Sequence, residues 1–177
     1  MTKDDEITVE QLDAEAAHAA IPALAEILAD AVESGASVGF MHGNGPSDYI
    51  AFWTGVAADV AAGRTVLFAA RQGAEMLGTA QLQLIGKPNQ PHRAEIAKVL
   101  VHSRARRRGL GAGLMQAAEA AAREAKRDLL VLDTDENGAA RRLYGKLGWT
   151  EVGTIPRYAL MPDGSDCGST FFYKELR

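Results

Sequence analysis

R-A-E-I-A-K-V-L-V (93–101), H-S-R-A-R-R-R-G-L-G-A-G-L-M (102–115) and an alanine-rich run to Ala125 read as strand, basic glycine-rich turn and helix. A strand that feeds a helix through such a turn aims several backbone N–H groups at one spot, and the helix dipole adds partial positive charge there. Arg106, Arg107 and Arg108 stand at the lip of the turn. Gly109 and Gly111 lack a Cβ, so phosphate oxygens can approach the amides closely. The stretch predicts a site for a phosphate-bearing ligand from Arg106 through Leu110 to Gly111.

Two known phosphate motifs compete for the same turn. A Walker loop ends in Gly-Lys-Ser/Thr, which is absent here. A dinucleotide-binding unit carries G-x-G-x-x-G early in a βαβ unit, with an acid about 20 residues on. Leu114 occupies the third glycine position, although Asp133 does end the next strand. A helical region and at least three strands precede the turn, which is the wrong order for that fold. The bland alternative is a solvated basic turn, Arg104 to Arg108, with no ligand.

The 177 residues suit one domain, 1–177, large enough for a core without staples. An apolar fraction of 47% and a charged fraction of 24% are those of a soluble globular protein. A net charge of −4 argues against a dedicated nucleic-acid binder, so the local basic cluster suits a small polyanion. No apolar run approaches a membrane span, and the polar, acidic start (MTKDDEITVE) is unlike a signal peptide. The single cysteine, Cys167, makes no internal disulfide, which points to a cytoplasmic setting. No histidine stands near it in sequence to make it a nucleophile. No metal is expected.

Upstream, Ile7 and Val9 alternate with polar residues as a first strand. Ile21, Leu24, Ile27, Leu28 and Ala31 form one stripe of a helical region spanning about 10–33, with Pro22 in a first turn. The glycine-rich segment Gly35 to Pro46 is a loop, yet it carries Val38, Phe40 and Met41. Apolar side chains in a loop often wall a binding site. Phe40 and Met41, with Tyr49 and Trp53 from a helix over Ser47 to Ala62, are therefore candidates to line a substrate pocket. Core packing is the alternative, and it suits Trp53 better. Thr65 to Ala70, Met76 to Ile85 and Arg93 to Val101 make an antiparallel meander, with one face of the middle strand on the core.

In the third of these strands, alternation puts Ala94, Ile96 and Leu100 on one face and Glu95, Ala97, Val99 and Val101 on the other. A carboxylate there is costly unless it is paired or opens on a cleft, where it can take a proton. The competing reading of Glu95 is a salt bridge with Arg93 or Lys98. Leu129 to Leu132 is a short apolar strand reached through a helix, so it runs parallel to Arg93–Val101. Ligands bind at the carboxyl ends of such strands, which makes Asp133 a candidate site residue. A further helix starts near Asn137, with Ala140, Leu143, Tyr144 and Leu147 inward. Trp149 to Ile155 and Ser169 to Glu175 are the last strands, joined by a loop carrying Tyr158 and Pro162-Asp163-Gly164.

Arg106-x-x-Gly109-x-Gly111 after a strand, and Asn137-x-x-Ala-x-x-x-Tyr144-x-x-x-Gly148-Trp149, resemble the motifs of the GCN5-related N-acetyltransferases. The order of elements is similar to that family's over nearly the whole chain. The resemblance implies an α/β (α+β) fold with a mixed, mostly antiparallel sheet of seven strands, four helices and a parallel pair splayed around acetyl-CoA. It implies that Arg106 to Gly111 hold the pyrophosphate, that Asn137 contacts acetyl-CoA, and that Tyr144 faces the thiol. Val99 and Val101 would pair with the pantetheine, and the N–H near Leu100 would polarise the thioester carbonyl. Glu95 and Asp133 would attract a cationic amine and take its proton, and Tyr144 would protonate the departing thiolate. Further stretches, among them GASVGFM (35–41) and YALMPDG (158–164), resemble a member that acetylates a β-lactam-bearing amino-acid toxin. The expected partner is thus a small-molecule amine, with no nucleic acid and no membrane, and the chain is a monomer or homodimer. Acetylation of protein amines and a non-catalytic CoA sensor are the alternatives.

Overall fold

Asp13 marks where the first strand gives way to helix. Its carboxylate accepts from the Ala16 N–H at 2.8 Å, which caps the helix that follows. The computed structural model describes residues 6–176; the acidic opening residues 1–5, part of the stretch read as unlike a signal peptide, lie outside them. In chain order the elements are β1 (Ile7–Leu12), α1 (Ala14–Ala19), α2 (Ile21–Glu33), α3 (Pro46–Ala61), β2 (Thr65–Gln72), β3 (Glu75–Leu84) and β4 (Arg93–Val101). After a 3-10 turn at Ser103–Ala105 come α4 (Leu110–Glu124), β5 (Leu129–Asp135), α5 (Ala139–Lys146), β6 (Thr150–Leu160) and β7 (Asp166–Glu175).

The seven strands form one sheet in the order β1-β2-β3-β4-β5-β7-β6. Every neighbouring pair is antiparallel except β4–β5, which is parallel as expected from the helical crossover. Five α-helices appear among the described residues where four were expected. The region 10–33 divides because β1 runs on to Leu12, and because Pro22 stands in the first turn of α2, where its missing N–H costs nothing. No helix among the described residues is long and apolar enough to cross a membrane.

Two apolar cores sit on opposite faces of the sheet. One gathers Ala80, Leu82, Ala94, Ile96, Leu130 and Leu132 under α4 and α5, with Leu114, Met115 and Tyr144. The other gathers Leu67, Ala69, Met76 and Leu100 under α1, α2 and α3, with Leu24, Leu28 and Trp53. Each fully buried leucine contributes about 1.5–3 kcal/mol. Helices on both sides explain why β3 departs from the expected one-faced burial. Thr79 and Gln81, read as the solvent face, are both buried, and the Thr79 hydroxyl donates to the Phe68 carbonyl at 2.8 Å.

A second departure lies in β4. Thr79 pairs with Leu100 but Gln81 pairs with Ala97, so β4 carries one extra residue, and Lys98 takes a left-handed φ of 50°. This β-bulge reverses the alternation. Leu100 packs in the core opposite to that of Ala94 and Ile96, whereas Val99 and Val101 rest against the Ala94 side. Glu95 therefore does not share a face with Val99. A third difference is at the C-terminus, where β6 runs to Leu160 and takes in Tyr158. The loop proper is Met161–Ser165, closed by Gly164 N–H on the Met161 carbonyl at 2.9 Å.

The close seating of α4 on β3 and β4 needs Gly78. A Cβ there would lie 2.9 Å from the Leu100 carbonyl oxygen and 3.2 Å from Leu114 Cδ1. Gly78→Ala is expected to destabilise the protein by about 1–3 kcal/mol through overpacking against backbone, read as a lower denaturant midpoint with an unchanged slope.

Candidate active site

The site begins where β4 and β5 part. Their parallel ladder covers Arg93–Leu129, Ala94–Leu130 and Glu95–Val131 and then stops. Beyond it β5 continues pairing on its other side with β7, as far as Asp135–Ser169. The bulge at Lys98 bends β4 at the point of separation. The result is a wedge between two strands, with backbone groups of β4 left free of β5.

The basic turn lies at the end of β4 and is clamped to α2. The Asp30 carboxylate accepts from the Ser103 N–H at 2.7 Å and the Ser103 hydroxyl at 2.6 Å. His102 Nδ1 accepts weakly from the Arg104 N–H at 3.4 Å and stands 3.5 Å from Asp30. The arginines divide by their contacts. Arg104 pairs with Glu75, Arg106 Nε donates to the Val101 carbonyl at 3.4 Å, and Arg108 donates to Gln72 Oε1 at 2.8 Å. Arg107 and Gly109 take left-handed φ values of 62° and 85°, and Gly109 caps α4. The first intrahelical bond runs from Gly113 N–H to the Gly109 carbonyl at 3.1 Å, so the N–H groups of Leu110, Gly111 and Ala112 emerge from the helix end. A helix of 15 residues supplies its dipole to the same spot.

Of the two glycines read as room for phosphate, Gly109 serves the turn, with nothing within 4 Å of a Cβ built there. Gly111 has a packing role. A Cβ on it would stand 3.1 Å from Leu143 Cδ2, so its small size seats α5 against the start of α4. That seating places Tyr144. A buried ion pair holds the other end of α5. Lys174 donates to both Glu119 carboxylate oxygens at 2.9 and 2.8 Å and to the Leu147 carbonyl at 2.7 Å, while Trp149 Nε1 donates to Glu119 at 2.9 Å.

Tyr144 is 5% exposed, and its ring stands edge-on to Phe172 at 5.6 Å. Burial, reinforced by the negative charge of Asp133, pushes its hydroxyl up to about 12. Asp133 itself is exposed beyond the ladder's end, and the Ser169 hydroxyl donates to it at 2.6 Å. Glu95 lies lower on the sheet, opposite Val131, where β4 and β5 are still paired. Its carboxylate accepts from Arg93 at 2.7 Å, and Arg93 also donates to Gln90. The structure thus realises the salt bridge with Arg93. Asn137 sits before α5, which begins at Ala139, and its N–H donates to the Asp135 carboxylate at 2.8 Å; its residue is exposed.

On the other side of the sheet the Gly35–Pro46 loop is tied to the β6–β7 hairpin. The Ser37 hydroxyl donates to the Leu160 carbonyl at 2.8 Å, and His42 N–H donates to the Pro162 carbonyl at 3.0 Å. Phe40 is half-buried and edge-on to Tyr49 (5.3 Å) and Phe52 (5.5 Å). Met41 is half-buried, with its N–H on Asn44 Oδ1 at 2.8 Å. Trp53 and Tyr49 are buried in the α2–α3 core, so neither lines an open pocket. Cys167 is buried, and burial pushes its thiol up, away from nucleophilic use.

Lys98 is a candidate site residue that strand alternation concealed. Its Nζ lies 5.3 Å from the centre of the Phe52 ring and beside Gly39, where a Cβ would stand 3.9 Å away. Burial pulls its ammonium down, and Asp133 partly opposes this. Asp133 thereby acts on both Lys98 and Tyr144. The visible signal was a lone cation between Ala97 and Val99 in an otherwise apolar run.

Residues 21–149 match the model of a family described as the acetyltransferase (GNAT) family. Solved structures of the same fold include an N-acetyltransferase from Staphylococcus aureus Mu50, at 19% identity and a TM-score of 0.80 over 98% of this chain and 100% of that one. The protein yncA from Salmonella typhimurium, solved with its cofactor acetyl-CoA, matches at 21% identity and 0.78 over 97% and 94%. A ribosomal-protein-alanine N-acetyltransferase from Brucella melitensis matches at 23% identity and 0.78 over 96% and 99%. At these identities the likeness speaks for the fold.

The raised hydroxyl of Tyr144 has a consequence for stability. In the unfolded chain tyrosine ionises near 10, whereas in the fold it holds its proton to about 12. Below pH 10 both states are neutral; between 10 and 12 only the unfolded state loses the proton, so stability falls as pH rises. Denaturation of wild type is expected to lose about 2–3 kcal/mol more across that interval than Tyr144→Phe does.

Proposed function

The chain belongs to the acetyltransferase (GNAT) family, and on that premise we propose that it acetylates the amine of a small, amino-acid-like molecule, with Asp133 and Tyr144 as its acid–base pair. As a member of that family it is an acetyl-CoA-dependent acetyltransferase. The observation that carries the proposal is the placement of Asp133. It stands just past the end of the β4–β5 ladder, and its charge acts on Tyr144 on one side and Lys98 on the other.

The residues present fit acetyl-CoA. The free N–H groups at the start of α4, with Arg106, Arg107 and Arg108 around them, suit a pyrophosphate. The open edge of β4 from Val99 to Val101 suits a pantetheine arm lying in the wedge as an added strand. Acetyl-CoA supplies the acetyl group as a thioester. A backbone N–H beside Leu100, on the edge of β4 that faces the wedge, is the donor for the carbonyl oxygen as charge develops there, since Leu100 itself pairs with Thr79 of β3. An ammonium has no lone pair to attack with, so Asp133 takes its proton, directly or through one water. A C–N bond forms and the C–S bond breaks, and the nitrogen sheds its second proton to solvent as the amide forms. Tyr144, kept neutral by burial, gives its proton to the leaving sulfur and regains one from Asp133. Glu95, already bound to Arg93 and lower in the sheet, adds negative field that draws a cationic amine. Asn137 borders the cofactor side.

Support for the acceptor class comes from the loops. GASVGFM (35–41), QLQL (81–84), KPN (87–89), LLVLDT (129–134) and YALMPDG (158–164) resemble the tabtoxin resistance protein, which acetylates a β-lactam-bearing amino acid. The first and last of these segments are joined by the Ser37–Leu160 bond, beside Phe40 and Met41. Together they form the wall against which an acceptor would rest.

The test is thiol release from acetyl-CoA with a panel of amines that includes the β-lactam amino acid. Asp133→Asn and Tyr144→Phe are expected to lower kcat by about 10²–10⁴, and Glu95→Gln by less than about 10-fold. A loss in Glu95→Gln as deep as that in Asp133→Asn would move the base to Glu95. Turnover only on protein N-termini would replace the small acceptor. Tight CoA binding with no turnover on any amine would favour a sensor.

A further inference from the structure

A lysine in mid-strand, half-buried, is expensive unless something answers its charge. The described residues place no carboxylate within ion-pair distance of Lys98, although ten other ion pairs form among them. Within the fold it is met only by the face of Phe52, a weak partner for an ammonium, and by the field of Asp133 beyond ion-pair distance. The bulge that holds it is itself a cost, since a left-handed φ is strained for a residue with a Cβ. The chain thus spends strain and desolvation to hold one cation at the mouth of the wedge.

Another donor on the same face is also unanswered. Gln81 pairs with Leu67, which packs into the same helical core as Phe52, the ring under Lys98, and so lies on that face. Its Oε1 accepts from Gln83 at 3.2 Å, but its buried Nε2 has no partner. An unpaired amide donor beside a cation calls for an anion with several lone pairs. Across the wedge stands Asp133, an acceptor of the opposite charge. We infer that Lys98 anchors a carboxylate of the acceptor, so that the enzyme takes amines of the amino-acid class, held with the carboxylate at Lys98 and the amine at Asp133. This deepens the reading as a small-amine acetyltransferase and rests on it. A zwitterion matches both poles of the site. A polyamine or a plain alkylamine would meet the Lys98 charge with nothing to offer it, so the lysine also selects against them.

Matched acceptors separate this role from mere packing on Phe52. Amino acids, their amides and the corresponding decarboxylated amines are assayed with wild type, Lys98→Met and Lys98→Arg. Methionine keeps the apolar stem and removes the charge. Lys98→Met is expected to raise KM for the amino acids roughly 10- to 100-fold with kcat retained, to leave the amides unchanged, and Lys98→Arg to keep the preference. Wild-type turnover that ignores the carboxylate, or a Lys98→Met enzyme that still prefers it, overturns the inference and leaves acetyl transfer standing. A second readout needs no turnover. With lysine labelled at the ε-carbon, the Lys98 resonance, identified by its loss in Lys98→Met, is followed as the same compounds are added to the CoA-bound protein at up to about 10 mM. A shift with amino acids and none with amides supports the carboxylate site, even if no amine is acetylated and the transfer reading fails. No shift with any of them overturns it.

Discussion

The parting of β4 from β5 is the constraint from which the site follows. A parallel ladder that ran the full length of both strands would bury every backbone group and leave no entrance. Here the ladder ends at Glu95–Val131 because the two strands are committed elsewhere. β5 keeps its full register with β7, and β4 keeps β3 only by inserting one residue at Lys98. A bulge raises local twist and bends its strand. The strands diverge while each remains paired on its far side, so the wedge opens with little loss of hydrogen bonding. Its open backbone is what an extended arm of a ligand can pair with.

Two clamps keep the wedge's surroundings in place. Asp30 binds the Ser103 N–H and hydroxyl and so fixes the basic turn to α2. Glu119 receives Lys174 and Trp149, which joins α4, β7 and the end of α5. Glu119 is nearly closed off from water, so losing either partner would strand a charge, and the cost of that exceeds what the pair itself contributes. α5 is short, at eight residues, and would hold Tyr144 poorly alone. Gly111 at one end and Lys174 at the other make its position a property of the whole fold.

Much of this was legible in the chain. The meander, the crossover and the helix after the basic turn follow from apolar period and punctuation, because those signals are local. The place of Asp133 beyond the β4–β5 ladder was legible from its position at a strand's carboxyl end. What escaped depends on partners distant in sequence. Alternation assigned Leu100 to the wrong face because a bulge adds one residue and nothing in A-K-V-L announces it. Thr79 and Gln81 look solvent-facing until α1, α2 and α3 are laid across that side. Glu95 could be read as base or salt bridge, and the fold makes the salt bridge, with Arg93 two residues away at 2.7 Å. Gly111 has the right type for a phosphate turn and a second reason for being there, the seating of α5.

The electrostatics of the site are local and run against the chain as a whole. A net charge of −4 would repel a polyanion, yet the turn at 104–108 gathers four arginines. Only part of that charge is tied up: Arg104 has Glu75 and Arg108 a neutral glutamine, while Arg106 is 3.9 Å from Asp30. At physiological salt, charges beyond about 8 Å are largely screened, so a ligand at the turn sees the arginines and the helix end more than the acidic remainder. Asp133 lies on the far side of the wedge from that cluster, and its field falls on groups that burial already biases. It strengthens the hold of Tyr144 on its proton and supports the charge on Lys98. A single exposed carboxylate can act on both because it sits past the end of the ladder, open to water. Moved two residues back along β5, to the level of Val131, it would face a closed sheet and govern neither.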